Sequence, residues 1–184
     1  MRRSKFPVSL LWIFMAGLVM VVTGCGGGAG NSVTPTAEGD ERAPAFTLND
    51  LEGNPVSLSD SDGQIRIVDF WATWCAPCRE EVPMFKELHA EYGGRGVKII
   101  SISMDGAENL DAVKEFVAEY DIPYTNLMDD EEVSQQYRAA GLPATYVVDG
   151  DGAIVKNYVG AKPKRIMVEL LDGLLADEAG EAGS

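Results

Sequence analysis

The chain has 184 residues, 46% of them hydrophobic and 24% charged, which suits one core-bearing domain with appendages. Its formal net charge is -14, from 29 acidic residues against 15 Lys and Arg, with a single histidine. A surface this acidic excludes nucleic acid, or an anionic membrane face, as a charge-driven partner.

The first 24 residues depart from that balance. Arg2, Arg3 and Lys5 precede an apolar run from about Val8 to Val22, after which small residues lead to Cys25. A basic start, an apolar middle and small residues before a cut describe a secretory signal. Val22-Thr23-Gly24-Cys25 resembles the lipobox of bacterial lipoproteins, which implies lipidation of Cys25 as the mature N-terminus. The alternative is an uncleaved anchor, since a spanning helix needs ~17–25 apolar residues. In both cases the body is expected outside the cytoplasm, held to a membrane. Residues 25–43 are rich in Gly, Ser, Thr and Pro without apolar periodicity, and read as a flexible tether.

The domain is expected over residues 44–176. Ala45–Leu48 and Pro55–Leu58 read as two short strands of a hairpin around Asn49-Asp50, followed by a turn over Asp60–Gly63. Gln64–Trp71 is the first long buried strand. A helix follows from about Ala76 to Tyr92, with Phe85, Leu88 and Tyr92 on one stripe and Pro83 expected to kink it. Gly93–Gly96 ends that helix, and Val97–Ser103 is a second buried strand. Leu110, Val113, Phe116, Val117 and Tyr120 mark an amphipathic helix. Tyr124–Met128 is a short strand and Glu131–Arg138 a short helix. Ala144–Val148 and Ala153–Val159 flank a tight hairpin turn at Asp149–Gly152. Ile166, Met167, Leu170, Leu171 and Leu174 form the closing helix, with residues 177–184 as a frayed acidic tail. Strands alternating with helices predict a mostly parallel α/β sheet covered on both faces.

The chemistry concentrates in Val68–Cys78. An apolar run leads through a loop into two cysteines separated by two residues, and a helix follows at once. Strand, Cys-x-x-Cys, helix is the order of a thiol–disulfide redox site within a βαβ pattern. Two sulfurs at this spacing on a first helical turn can close a small disulfide ring or open as a dithiol. The helix N-terminus favours the thiolate of Cys75, the expected nucleophile. Cys78, one turn in, is expected to resolve the mixed disulfide between Cys75 and its substrate. Pro77 sits where a missing N–H is harmless. A structural disulfide or half of a zinc site are the alternatives. A zinc site needs four ligands, and the lone His89, expected to be exposed, lies a helix length away, so no metal or other cofactor is expected.

The motif from Val68 to Pro83 (VDFWATWCAPCREEVP), the segment Gly141-Leu142-Pro143-Ala144-Thr145 and the turn Asp149–Gly152 resemble the thioredoxin superfamily. Within it they are similar to the extracytoplasmic, membrane-anchored TlpA/ResA-like thiol–disulfide reductases, over roughly residues 43–175. The resemblance implies a central mixed sheet flanked by helices, with an N-terminal β-hairpin and an extra helix and strand over about residues 105–128. It implies that Pro143 is the superfamily's cis-proline, packed against the redox pair and presenting backbone to an extended substrate. Glu81 matches the acidic residue that this group places after the cysteines, and Asp69 the buried acid of cytoplasmic thioredoxins. A carboxyl buried near a thiol has its pKa raised and can pass a proton as Cys78 reacts. Trp71 and Trp74 are expected to rim the site, with substrate contacts at Trp74, Ala76, Pro77 and Leu142.

Acidic neighbours disfavour the thiolate and oppose the helix dipole, which predicts a reductant. The expected partners are a disulfide-containing client, in this family commonly apocytochrome c, and a membrane-bound thiol donor that recharges the pair. Client binding is expected to be β-like, along the edge at Pro143. Two competing readings are a thiol peroxidase of the peroxiredoxin-related class, because the Ala43–Asp60 head is similar, and a tethered binding lipoprotein without redox turnover. Against the peroxidase, Phe70 and Trp71 stand where that class wants a Thr, and a second cysteine lies close by.

Overall fold

A computed structural model describes residues 41–181. The signal segment, Cys25, most of the tether and the last three residues lie outside the described residues. No helix among the described residues is long and apolar enough to cross a membrane.

The elements are β1 (Thr47–Asn49), β2 (Pro55–Ser57), β3 (Ile65–Trp71), α1 (Ala76–Tyr92), β4 (Val97–Ser103), α2 (Leu110–Glu119), β5 (Thr125–Met128), α3 (Glu132–Gln136), β6 (Ala144–Val148), β7 (Ile154–Val159) and α4 (Lys164–Glu181). β1 and β2 form the hairpin, whose turn is closed by the Asp50 carboxylate accepting from the N–H groups of Glu52 and Asn54. Leu58 leaves the expected strand and opens a 3-10 turn, Leu58–Ser61.

The remaining strands form one five-stranded sheet in the order β5-β4-β3-β6-β7. β4 runs parallel to β3 and β5 to β4, whereas β6 is antiparallel to β3 and β7 to β6. The sheet is therefore evenly mixed, as the family resemblance implies, rather than mostly parallel, as the alternation of strands and helices predicts. Buried apolar runs carry no information about strand direction. Only the β6–β7 turn, with Gly152 at φ 92, commits its strands to antiparallel pairing.

Along β3 the side chains alternate between two cores. Val68 and Phe70 join Phe46, Leu48 and Leu58 of the N-terminal segment and Val133 and Tyr137 at α3. Ile65 and Ile67 pack with Phe85, Leu88 and Tyr92 of α1 and with Met167 and Leu171 of α4. The central strand is thus covered on both sides, and its C-terminal end delivers the loop that carries the cysteines. Leu88 is fully buried between sheet and helices. Leu88→Ala should cost about 3 kcal/mol, read as a lower urea midpoint at unchanged slope.

α1 runs without interruption through Pro83. α4 extends to Glu181, beyond the expected start of the tail. From Leu175 to Ala179 the chain holds only residues compatible with a helix, so nothing stops it there. Lys164 at its start donates to Glu87 and Glu91 of α1 at 2.8 Å each.

Candidate active site

Cys75 is the N-cap of α1, in extended conformation, and its sulfur accepts from the Cys78 N–H at 3.3 Å. The two sulfurs are bonded at 1.99 Å, with Cα atoms 5.3 Å apart. The cap position places the Cys75 sulfur at the helix N-terminus, where unpaired N–H groups favour negative charge once the bond is opened. Both cysteines are only 5% exposed, among Leu51, Trp71, Ala72, Val82, Val113 and Phe116. Cys78, one turn into the helix, is expected to be shielded from solvent. In the disulfide both are covered.

What stands outward is the surface beside them: Ala76 and Pro77 are exposed, and Trp74 is 69% exposed. Trp71 does not rim the site. It is buried, with its ring centroid 4.7 Å from that of Phe116. Strand alternation separates the two tryptophans, because Trp71 is the last residue of β3 and Trp74 belongs to the loop.

Asp69 shares the β3 face of Ile65 and Ile67, so it points toward α1. Its register partner is Thr145 of β6, whose hydroxyl donates to Asp69 Oδ1 at 3.0 Å. Burial pushes the Asp69 carboxyl well above the usual range; the neighbouring Glu81 charge adds to the rise and the Thr145 bond opposes it. Glu81 lies one turn past Cys78 on α1 and is also buried. Its Oε1 accepts from the Lys162 N–H at 2.7 Å, while Oε2 has no partner among the described residues. Burial raises its pKa too, against the lowering effect of the Lys162 N–H and ammonium. Tyr124 completes the cluster: its hydroxyl is pushed up by burial and then by the charges of Asp69 and Glu81.

The Leu142–Pro143 peptide bond is cis. Pro143 is buried, and its carbonyl accepts from the Gly160 N–H at 2.8 Å. Leu142 packs against the cluster that contains both cysteines. Among the described residues its backbone N–H and C=O make no hydrogen bond. Val159, 61% exposed, borders this segment. A Cβ at Gly141 would come within 3.2 Å of its Cγ1, so glycine permits that approach.

The structure thus places Cys75, Cys78 and Glu81 on the first turns of α1, and Asp69 on the face of β3 turned toward α1, within reach of the Glu81 charge. Pro143 lies next to Leu142, which packs on the cysteine cluster. Several members had no sequence signal: Lys162 and Tyr124 reach the carboxyls only through the tertiary fold, and Val159 reaches Gly141 across a strand pair. Thr145 follows the Gly-Leu-Pro-Ala segment and could have been paired with Asp69 by strand register. His89 is half-buried rather than exposed, 6.1 Å from the Tyr124 ring.

The AhpC/TSA family model matches residues 40–157. The chain is 36% identical over 136 residues to the thiol-disulfide oxidoreductase ResA of Bacillus cereus, covering 73% of this chain and 75% of that protein. It is 35% identical over 150 residues to the thiol:disulfide interchange protein HelX of Rhodobacter capsulatus, covering 79% and 81%. Among solved structures, a putative thiol:disulfide interchange protein DsbE from Chlorobium tepidum superposes with a TM-score of 0.69 at 30% identity, covering 75% of this chain and 97% of that one. Together with a bonded Cys-x-x-Cys at the head of α1, these place the chain in the AhpC/TSA family as a thiol–disulfide oxidoreductase of the thioredoxin fold.

Proposed function

We propose that this oxidoreductase runs as a reductant of protein disulfides outside the cytoplasm, held to a membrane through a lipid on Cys25. The observation that carries the direction is the pair of buried carboxyls, Asp69 and Glu81, which feel each other's charge, with Glu81 one turn past Cys78 on α1. A dithiol is a weak reductant when its thiolate is strongly stabilised. Here the helix N-terminus stabilises it, but no Lys, Arg or His among the described residues is bonded to either sulfur. The carboxyls disfavour the thiolate when ionised, and when protonated they supply the proton that a departing thiolate needs.

In the proposed cycle, Cys75 attacks a client disulfide docked along the free backbone of Leu142. Cys78 then attacks the mixed disulfide, giving up its proton to the carboxyl pair and releasing the client as a dithiol. The oxidised pair is returned to the dithiol by a membrane-bound thiol donor. The resemblance to the ResA-like group supports the Cys-x-x-Cys-His haem site of apocytochrome c as the client, and Val22–Cys25 supports the anchor. Equilibration with a thiol buffer should give a potential below about -200 mV; a value near the strong oxidants, about -120 mV, would overturn the reductive direction.

A further inference from the structure

The link after β4 holds a buried carboxylate that the redox cycle does not use. Asp105 is 5% exposed and accepts three hydrogen bonds. The Thr73 N–H donates to Oδ2 at 2.8 Å, the Thr73 hydroxyl to Oδ1 at 2.7 Å, and the Ser103 hydroxyl to Oδ2 at 2.8 Å. The Asp105 N–H in turn donates to the Ser103 oxygen at 3.2 Å. On the other side of Thr73, its carbonyl accepts from the Arg79 guanidinium, Nε at 2.9 Å and Nη2 as well. The Met104 N–H donates to the Trp71 carbonyl at 2.8 Å, so the link is tied to the loop on both sides of Ala72.

Every polar group of Thr73 is therefore engaged, two residues before the nucleophile. A carboxylate buried only to shape its own link could be satisfied by groups within that link. Two of its three bonds instead reach across to the redox loop. Burying a carboxylate is costly unless it is fully hydrogen-bonded, so this one fixes its donors firmly. The peptide that follows Thr73 carries the exposed Trp74 and then Cys75, whose N–H donates to the Ala72 carbonyl at 3.1 Å, so the segment from Ala72 to Cys75 moves as one turn with Thr73 at its centre.

We infer that Asp105 is a positioning residue for the redox pair. Through Thr73 it holds the Trp74–Cys75 peptide in the orientation that presents the reduced Cys75 sulfur for attack. Small displacements at such a point are costly, since about 1 Å of misplacement can lower a rate ~10²-fold.

The test uses the full chain, reduced and freed of reductant. Its readout is the plateau rate of Cys75 alkylation by iodoacetamide at high pH, followed by peptide mass spectrometry, with melting temperature measured alongside. Asn at position 105 keeps one acceptor oxygen but faces Thr73 with N–H groups, so Asp105→Asn should lower the plateau by about tenfold. Thr73→Val, which loses one bond, should lower it by about threefold, and Thr73→Ser should restore it. Plateau rates within twofold of the parent in both Asp105→Asn and Thr73→Val would overturn the inference, whatever the melting temperatures. If Asp105→Asn does not fold, Thr73→Val against Thr73→Ser decides alone. No client or electron donor enters this readout, so its outcome is separate from that of the reductive reading.

Discussion

Replacing Cys78 by Ser should leave the protein covalently joined to its client. Cys75 would still attack, but no second thiol would release the product, so the mixed disulfide accumulates and is visible on non-reducing gels. Cys75→Ala should show no adduct. Each single replacement should lower client reduction by at least about 10³-fold, because residues that act as a unit are lost together rather than by halves. Peptide mass spectrometry of the trapped adduct then names the client, and a Cys-x-x-Cys-His segment is the expected catch. Full function in Cys75→Ala and in Cys78→Ala would instead mean a binding lipoprotein without redox turnover. Peroxide consumption far above that of a free thiol would mean a peroxidase.

Asp69→Asn should produce a protein that is more stable and slower. The unfolded carboxyl titrates near 3.9, and burial raises it well above that in the folded chain. Between those two values the folded state holds a proton that the unfolded state has released. Stability therefore falls as pH rises through that window, and the penalty is complete above the folded pKa. Asn removes the penalty while its amide oxygen still accepts from Thr145. The melting temperature should rise by roughly 5 °C at pH 8 and stay unchanged near pH 4. With Glu81 left as the only carboxyl to take the Cys78 proton, client reduction at neutral pH should fall by about 10²-fold. A variant that is destabilised at pH 8, or as fast as the parent, would remove Asp69 from the proton path. The combination matters, because a merely damaged fold would be slower and less stable together.

Much of this site was legible because its chemistry is local in sequence. Cys75, Pro77 and Cys78 are spaced along one helical turn, and Asp69 stands out as a charge inside a buried strand. The strands and helices followed from period-2 and period-3.6 patterns, with boundaries shifted by one or two residues at the hairpin and α3. What was not legible depends on which faces meet. Nothing in Trp71-Ala-Thr-Trp74 says that the first tryptophan turns inward and the second outward, since that is decided by where β3 ends. Lys162 lies 81 residues from the glutamate whose charge it offsets. Asp105 follows an apolar strand as any turn residue could, and its partner Thr73 is chosen by the parallel register of β3 and β4. Sheet direction is a similar case: the alternation of strands and helices points to a mostly parallel sheet, and the family resemblance to the mixed one that is found. In it β6 runs against β3 because of the path the chain takes after α3.

The near-complete cover over the two sulfurs has a consequence for selectivity. Thiol exchange needs a thiolate to approach along the sulfur–sulfur axis, and here carbon blocks most directions. A small free thiol gains little by colliding with that surface, whereas, on the proposed docking, a protein paired with Leu142 is brought up against the cluster that holds both sulfurs. Recognition through main-chain pairing would be tolerant of sequence, so such a site would favour polypeptides over small metabolites. Electrons would then pass between docked proteins without leaking to the surrounding thiol pool. On the proposed reductive reading, such insulation would let the dithiol persist in surroundings whose average potential would otherwise oxidise it.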